Sequence, residues 1–142
     1  MYKIMQDIRL SKNFKVHEIA CKDGSGELLF DYELINKLQR LRDTLGKPII
    51  VCSAYRTPAY NKKCGGAPKS QHLLGKAADI KIAGMHPLDV AFVAQKMGFT
   101  GIGVYTHDGN YFTHVDVRQG RSYWMDATGH KLLSVKRLED KR

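Results

Sequence analysis

The stretch Ser70-Gln71-His72-Leu73-Leu74-Gly75-Lys76-Ala77-Ala78-Asp79 holds a histidine and an aspartate seven positions apart, separated by a glycine and small residues. The run Ile80-Lys81-Ile82 follows directly and is typical of a short strand. We interpret the segment as a loop that presents His72, a turn at Gly75 and a strand that presents Asp79. This is the stretch around which the rest of the chain is organised.

A second polar island lies downstream, at Thr113-His114-Val115-Asp116-Val117-Arg118. Residues two apart on a strand share a face, so His114 and Asp116 are predicted to point the same way. The residues between them are apolar or small and are predicted to face the core. The polar side of this strand is therefore predicted to line a cleft.

Together the two stretches supply a set of candidate metal ligands. Catalytic zinc commonly takes three protein ligands from His, Asp and Glu and keeps a fourth position open. Two nitrogens and one oxygen can come from His72, Asp79 and His114. A lone buried histidine is more often a hydrogen-bonded structural residue, but two His and two Asp beside glycines favour a metal. Such a metal lowers the pKa of a bound water molecule to about 7.

The role of Asp116 has two interpretations. It can take a proton from the attacking water and pass it to a leaving amine, or it can hold a ligand histidine in one tautomer. A competing metal set combines His114 and Asp116 with His130, as in ferrous-iron oxygenases. Those enzymes usually need a larger double-sheet barrel, and this set leaves His72 and Asp79 unused.

The hydrophobic pattern predicts an α+β fold with a small, mostly antiparallel sheet and flanking helices. Residues 1–30 are predicted to be irregular. The clearest helix begins after the N-cap Asp31 and stops at Gly46. The later elements are predicted to be a buried strand at 48–55, a short helix from Pro58, a strand at 77–82, a helix at 87–97, and strands at 101–106 and 111–118 joined by a turn at Asp108-Gly109. A further turn is predicted at 126–129.

Length and composition favour one domain over residues 1–142, since no linker or repeat divides the chain. Hydrophobic residues make up 43% and charged residues 26%, which is ordinary for a globular protein. No run is long and apolar enough to span a membrane. The first ten residues lack the apolar core of a signal peptide, so the export route is left open.

The net charge of +9 predicts either a polyanionic neighbour or a merely solvating surface. Lys and Arg are spread along the chain, and no zinc finger, RNP motif or basic helical stripe favours specific nucleic-acid binding. The three cysteines, Cys21, Cys52 and Cys64, form no CxxC pair, and free thiols are favoured over a disulfide. Cys52 is predicted to be buried within its strand.

Four segments of the chain resemble one known family. They are Ser53-Ala-Tyr-Arg-Thr-Pro-Ala-Tyr-Asn61, Ser70-x-His72-x-x-Gly75-x-Ala77-x-Asp79, Gly101-Ile-Gly-Val-Tyr and His114-Val-Asp-Val-Arg118. Over about residues 12–124 the chain resembles the M15 family of zinc peptidases, which includes zinc D-Ala-D-Ala carboxypeptidases and phage endolysin L-Ala-D-Glu peptidases. The resemblance implies their hedgehog-like fold and one zinc ion, with the ligands His72, Asp79 and His114.

The same resemblance implies roles for further residues. Arg56 corresponds to an arginine that lies near the substrate, where its planar fork can bind a carboxylate or a polarised carbonyl. The alternative for Arg56 is a structural salt bridge. Ser70 and Gln71 are candidates for substrate binding, and Ser70 can equally cap a turn.

One position departs from the family pattern. Many relatives carry a Glu, Asp or His two or three residues before the last zinc histidine as the general base. Here those positions are Phe112 and Tyr111. Asp116 remains as the catalytic candidate, with His107 in the hairpin as the second.

The resemblance implies a monomeric zinc peptidase that hydrolyses an amide bond in the peptide stem of peptidoglycan and acts at the cell wall, with anionic wall polymers as further partners. The departure from the pattern leaves an alternative open. In that alternative the chain is a metal-stabilised wall-binding or virion-structural domain of the same fold, without turnover.

Overall fold

The computed structural model describes residues 2–3, 8–126, 131–132 and 134–136, which form short strands and helices. The strands are β1 (Tyr2–Lys3), β2 (Arg9–Ser11), β3 (Phe14–Lys15), β4 (Glu27–Leu28), β5 (Ile50–Ser53), β6 (Ala77–Lys81), β7 (Gly101–Tyr105), β8 (Phe112–Asp116), β9 (Ser122–Met125) and β10 (Lys131–Leu132). The helices are α1 (Val16–Ile19), α2 (Tyr32–Leu45), α3 (Pro58–Lys63) and α4 (Pro87–Lys96), and a 3-10 turn spans Gln71–Leu74.

The central feature is a six-stranded sheet with the order β10-β9-β7-β8-β6-β5. Neighbouring strands run antiparallel, except that β7 and β9 pair in parallel. The sheet and the helices confirm the predicted α+β fold with a mostly antiparallel sheet. No helix in the part of the chain that is described is long and apolar enough to cross a membrane.

Helix α2 begins and ends at the predicted residues. The Asp31 side chain accepts a hydrogen bond of 2.8 Å from the backbone nitrogen of Glu33, and Gly46 ends the helix in the left-handed conformation, with φ of +62°. Four leucine or isoleucine side chains on one face of the helix are fully buried, at Leu34, Ile35, Leu38 and Leu41. All four belong to the hydrophobic core.

The central strands present one apolar and one polar face, because successive side chains alternate. Helix α4 contacts β7 and β8, and the Thr113 hydroxyl donates a 2.8 Å hydrogen bond to the carbonyl oxygen of Pro87 at the start of that helix. The buried apolar residues of the central strands include Ala78, Ile80, Ile102, Val104 and Val115. The other face carries Asp79, His114 and Asp116, as the alternation predicts.

Two expectations from the sequence are wrong. Cys52 is exposed, because β5 is the edge strand of the sheet and buries only every second residue, Val51 and Ser53. Residues 1–30 are not irregular throughout, since β1 pairs with β4 and β2 pairs with β3. These strands are two or three residues long, which is too short for an alternating pattern to be visible. The cysteines are free, as predicted.

The turn between β7 and β8 also follows the prediction, with positive φ at Asp108 and Gly109. The end of the turn predicted at 126–129, and His130 of the competing metal set, lie outside the described residues.

Candidate metal centre

One row of residues crosses the polar face of the sheet. Ser53 on β5 pairs with Asp79 on β6, and Asp79 pairs with His114 on β8. His114 is in turn opposite Gly103 on β7, which is in register with Trp124 on β9. Backbone pairing therefore places two of the predicted ligands side by side.

His72 reaches this row from the 3-10 turn. The Ser70 hydroxyl caps the turn by accepting a 3.2 Å hydrogen bond from the backbone nitrogen of His72. Gly75 ends the turn with φ of +69°, and a Cβ there would lie 2.6 Å from the carbonyl oxygen of Leu29. Only glycine satisfies both the positive φ and this close approach. The turn brings His72 to the side chain of Asp79.

The three predicted ligands meet at one carboxylate oxygen. Oδ1 of Asp79 lies 3.2 Å from Nε2 of His72 and 3.0 Å from Nδ1 of His114. One ligand atom from each residue lies within 4.8 Å of the other two, and all three residues are buried. The two imidazole rings meet edge to face, with centroids 5.2 Å apart.

Each histidine is oriented by a partner on its other nitrogen. Nδ1 of His72 lies 2.6 Å from the carbonyl oxygen of Ala54. Because a carbonyl oxygen only accepts, Nδ1 of His72 carries a proton, and Nε2 is the nitrogen that faces Asp79. Nε2 of His114 lies 2.7 Å from Oδ2 of Asp116, which places a proton on Nε2 and turns Nδ1 towards Asp79.

The second oxygen of Asp79 is held by Arg56. Nη2 of Arg56 donates to Oδ2 of Asp79 at 3.1 Å, while its Nε donates to the Ser53 hydroxyl at 3.0 Å. Its Nη1 donates to the side-chain oxygen of Asn61 at 3.4 Å. Arg56 thereby uses all three of its nitrogens to fix the orientation of the carboxylate.

These residues fit a divalent metal ion. With its protons on the outer nitrogens, the cluster directs two nitrogen lone pairs and one carboxylate oxygen towards a common point. This donor set is the one that zinc takes in catalytic sites. The outer hydrogen bonds to Ala54, Asp116 and Arg56 are of the kind that orient metal-ligating side chains.

Charge in the metal-free cluster is shared between His114 and its two carboxylates. Burial alone would lower the pKa of His114, but hydrogen bonds to Asp116 and Asp79 raise this pKa to about 9. Burial would raise the pKa of Asp116, but hydrogen bonds from His114 and Arg118 lower it to about 2. Burial likewise opposes ionisation of Asp79, yet contacts with His114 and His72 hold its pKa well below the usual range. Both aspartates are therefore ionised at neutral pH.

The cluster lines a cavity of about 480 Å³ that also has an aromatic wall. Tyr105 stacks on Phe112 with ring centroids 4.6 Å apart. Trp124 donates a 2.8 Å hydrogen bond from Nε1 to the Tyr105 hydroxyl, and its ring lies 5.2 Å from that of His114. The loop after α3 and the 3-10 turn line other parts of the cavity.

Two glycines on β7 make room for this arrangement. A Cβ on Gly103 would lie 2.5 Å from Cε2 and Nε1 of Trp124, and a Cβ on Gly101 would overlap the carboxylate of Asp116. The polar face of β7 thus has no side chains where its neighbours need the space. The alternation Gly101-x-Gly103 was the sequence signal for this packing, and the strand prediction did not use it.

The other predicted site residues lie at different distances from the cluster. Ser70 and Gln71 line the cavity. Asp116 has no exposed surface and lies behind His114, on the ring nitrogen that faces away from Asp79. His107 is not brought to the cluster, since its exposed ring lies 3.4 Å from the carboxylate of Asp126 and does not line the cavity.

Comparison with known proteins gives matches over most of the chain. Residues 12–116 match the sequence model of the family described as Peptidase M15. The chain is 38% identical over 92 residues to the zinc D-Ala-D-Ala carboxypeptidase of Streptomyces albus G, covering 62% of this chain and 35% of that protein. It is 33% identical over 101 residues to the peptidoglycan L,D-endopeptidase MepK of Escherichia coli K12, covering 66% of this chain and 54% of that protein.

The chain therefore spans between about a third and about half of the length of these relatives. The matched region contains all three residues of the cluster and both Arg56 and Asp116, since it extends from residue 12 to residue 116. On the evidence of this match and of the cluster that it encloses, the chain belongs to the peptidase M15 family.

Proposed function

We propose that the chain is a zinc-dependent peptidase that hydrolyses an amide bond in the peptide stem of peptidoglycan. The observation that carries the proposal is the buried cluster of His72, Asp79 and His114 on the wall of an open cavity. The relatives in Streptomyces albus G and Escherichia coli support the substrate class, since their names specify D-Ala-D-Ala and peptidoglycan. Either removal of a terminal D-Ala or an internal cut of the stem is compatible with the cluster.

Zinc, when bound by these ligands, would polarise the scissile carbonyl and lower the pKa of a water molecule. The chain's own residues hold the ligand atoms in place. In this proposal Asp116 orients His114 through its outer nitrogen and raises the basicity of Nδ1, the nitrogen that would bind the metal. Arg56 positions Asp79 in the same way, because its nitrogens are occupied by Ser53, Asn61 and Asp79.

Tyr105 is proposed as a hydrogen-bond donor to the substrate. Its oxygen already accepts from Nε1 of Trp124, so its own proton is free to point elsewhere. Burial raises the pKa of Tyr105, so the phenol keeps that proton at neutral pH. Since Tyr105 lines the cavity with His114, the phenol can donate to the carbonyl oxygen on which negative charge develops.

The net charge of +9 supports action at the cell wall, where anionic polymers surround the stem peptides. Salt should then weaken binding to whole sacculi more than hydrolysis of a short soluble peptide, because only the former depends on the distributed charge.

A second candidate function is a wall-binding domain that holds a metal but does not hydrolyse peptides. One observation favours it. Among the described residues that line the cavity, Asp79 is the only one with a carboxylate. Asp116, the other nearby carboxylate, is buried and paired with both His114 and Arg118.

The deciding experiment is digestion of purified sacculi by zinc-loaded protein, with the products identified by mass spectrometry. Hydrolysis predicts released D-Ala or cut stems, together with about one zinc per chain. His72→Ala should lose both the zinc and the products. His107→Ala is the matched control for zinc content, because this histidine is exposed and lies outside the cluster.

Zinc-loaded protein that binds sacculi yet releases nothing over hours would overturn the peptidase proposal in favour of the wall-binding alternative. Retention of zinc by His72→Ala would overturn the proposed ligand set.

A further inference from the structure

The charged lining of the cavity is dominated by cations. Arg56, Lys69 and Arg118 line it, and among the described lining residues only Asp79 opposes them with a carboxylate. If zinc is bound, as proposed above, the positive charge increases further. A cavity of this charge favours a substrate that carries an anionic group close to the bond being cut.

The three cations differ in how many of their donor nitrogens are already hydrogen-bonded within the protein. Arg56 donates from Nε, Nη1 and Nη2 to Ser53, Asn61 and Asp79, so its guanidinium is largely used within the protein. Lys69 lies at the exposed rim of the cavity, on a flexible stem. Neither offers a rigid and uncommitted donor to an anion inside the cavity.

Arg118 does offer such a donor. Its Nε lies 2.9 Å from Oδ1 of Asp116 and its Nη2 lies 2.6 Å from Oδ2, so two nitrogens are fixed on one carboxylate. The backbone nitrogen of Arg118 also donates to Oδ1 of Asp116 at 3.1 Å. Its Cζ lies 5.2 Å from the Trp124 ring. Nη1 has no hydrogen-bond partner among the described residues, and the side chain is 27% exposed.

The contact with Asp116 leaves one donor of Arg118 available. Asp116 engages Nε and Nη2 of the guanidinium, and the backbone nitrogen of Arg118 as well. This contact therefore fixes the plane of the guanidinium and sets the direction of the remaining nitrogen, Nη1. A preorganised guanidinium loses little conformational freedom when it binds a carboxylate.

We propose that Arg118 selects the substrate by binding a carboxylate of the stem peptide through Nη1. This proposal rests on the proposed function for its substrate class. Stem peptides carry two candidate carboxylates, the C-terminal one and the α-carboxylate of the γ-linked D-Glu. Both present the same chemistry to Arg118, and the two sources are separated by the probes used.

The test compares three synthetic stem peptides, one with both carboxylates free, one with a C-terminal carboxamide, and one with the D-Glu α-carboxylate amidated. Binding is measured by calorimetry with zinc-loaded protein and again with metal-free protein, because zinc itself attracts carboxylates. The wild-type protein should bind one of the amidated peptides about tenfold more weakly than the free peptide, with or without zinc. Which peptide loses affinity identifies the carboxylate that is bound.

Arg118→Gln should remove this discrimination and bring the affinity ratio close to one. A merely structural role would weaken all three peptides alike and leave the ratio unchanged. Arg118→Lys keeps a positive charge beside Asp116 but has only one side-chain nitrogen, so its affinity ratio should also fall close to one. This variant replaces Arg118→Gln in the test if the glutamine variant does not fold. Lys63→Gln is the matched control, because Lys63 is exposed and does not line the cavity, and it should keep the wild-type ratio.

Equal binding of all three peptides by the wild-type protein would overturn the proposal, and so would a ratio that survives both Arg118 variants. Because binding is the readout, these results are separate from failure of the peptidase proposal, which would appear as intact sacculi in the presence of zinc.

Discussion

Nε2 of His114 lies 2.7 Å from Oδ2 of Asp116, and the same carboxylate receives the guanidinium of Arg118. One residue separates His114 from Asp116 on β8, so the alternation of the strand alone places their side chains on the same face. The link joins the candidate metal ligand to a fully buried carboxylate and then to a cation on the cavity wall. Asp116 should therefore act on the metal through His114.

Replacing Asp116 with asparagine should weaken zinc binding by about 10- to 100-fold. The amide keeps the size of the carboxylate but loses the negative charge that makes Nδ1 of a neutral His114 ring a stronger donor to the metal. Zinc affinity can be measured by competition with a chromophoric chelator. Asp126→Asn is the matched control, because Asp126 is a largely buried carboxylate that accepts from the backbone at Thr106 and His107 instead. A variant with wild-type zinc affinity but no hydrolysis would instead identify Asp116 as the proton carrier.

Zinc uptake at neutral pH should release protons. In the metal-free protein His114 has a pKa of about 9, so the ring is protonated at pH 7.5, and a metal can bind Nδ1 only after that proton leaves. Calorimetry in two buffers with different ionisation enthalpies measures the released protons. Identical heats in the two buffers would contradict the prediction.

The same shift predicts how the stability of metal-free protein depends on pH. An unfolded histidine has a pKa of about 6.5. Because folding raises the pKa of His114, the protonated ring stabilises the folded state. This contribution to the free energy of unfolding is fully present below about pH 6.5 and is lost as pH rises through about 9. The unfolding temperature in EDTA should therefore fall across this range. Zinc-loaded protein is the control and should show a smaller fall, since the metal replaces the proton.

Tyr105→Phe should lower kcat by about 100-fold while leaving the zinc content unchanged. The substitution removes only the hydroxyl, which accepts from Trp124 and is proposed to donate to the substrate carbonyl. Tyr111→Phe provides the control, because Tyr111 is exposed and does not line this cavity. Unchanged kcat in the Tyr105 variant would remove this residue from the proposed mechanism.

Gly103→Ala should destabilise the protein by about 1–3 kcal/mol, because the new methyl group would lie 2.5 Å from the ring of Trp124. The chain has one tryptophan, so its fluorescence emission reports directly on whether that ring moves. Gly109→Ala is a useful comparison, since its cost comes from a φ of +82° in open space. It should lower stability without changing the emission. If the emission of Gly103→Ala is unchanged, the new methyl group displaces strand β7 and leaves the Trp124 ring where it is.

That His72, Asp79 and His114 lie close together could be predicted from sequence, because much of the arrangement is local. His72 and Asp79 stand in one short segment, and the period of two in a strand puts His114 and Asp116 on one face. The contact between Asp79 and His114 depends on the register of β6 against β8, which residue spacing alone does not determine.

The aromatic wall and the free donor of Arg118 were not predicted. Trp124 reaches the cavity because β9 pairs in parallel with β7, and such a long-range pairing leaves no local pattern. The exposure of Cys52 was missed for a related reason, because a short β-branched run looks the same whether the strand is central or at the edge.

The empty face of β7 also means that positions 103 and 124 cannot vary independently. Any side chain at 103 would occupy space that the indole of Trp124 now fills, so a change at one position constrains the other. A larger residue at 103 should become acceptable only in combination with a smaller one at 124, and that exchange would also remove the donor to Tyr105. Among related proteins, the residue facing this glycine should therefore indicate how wide this cavity is.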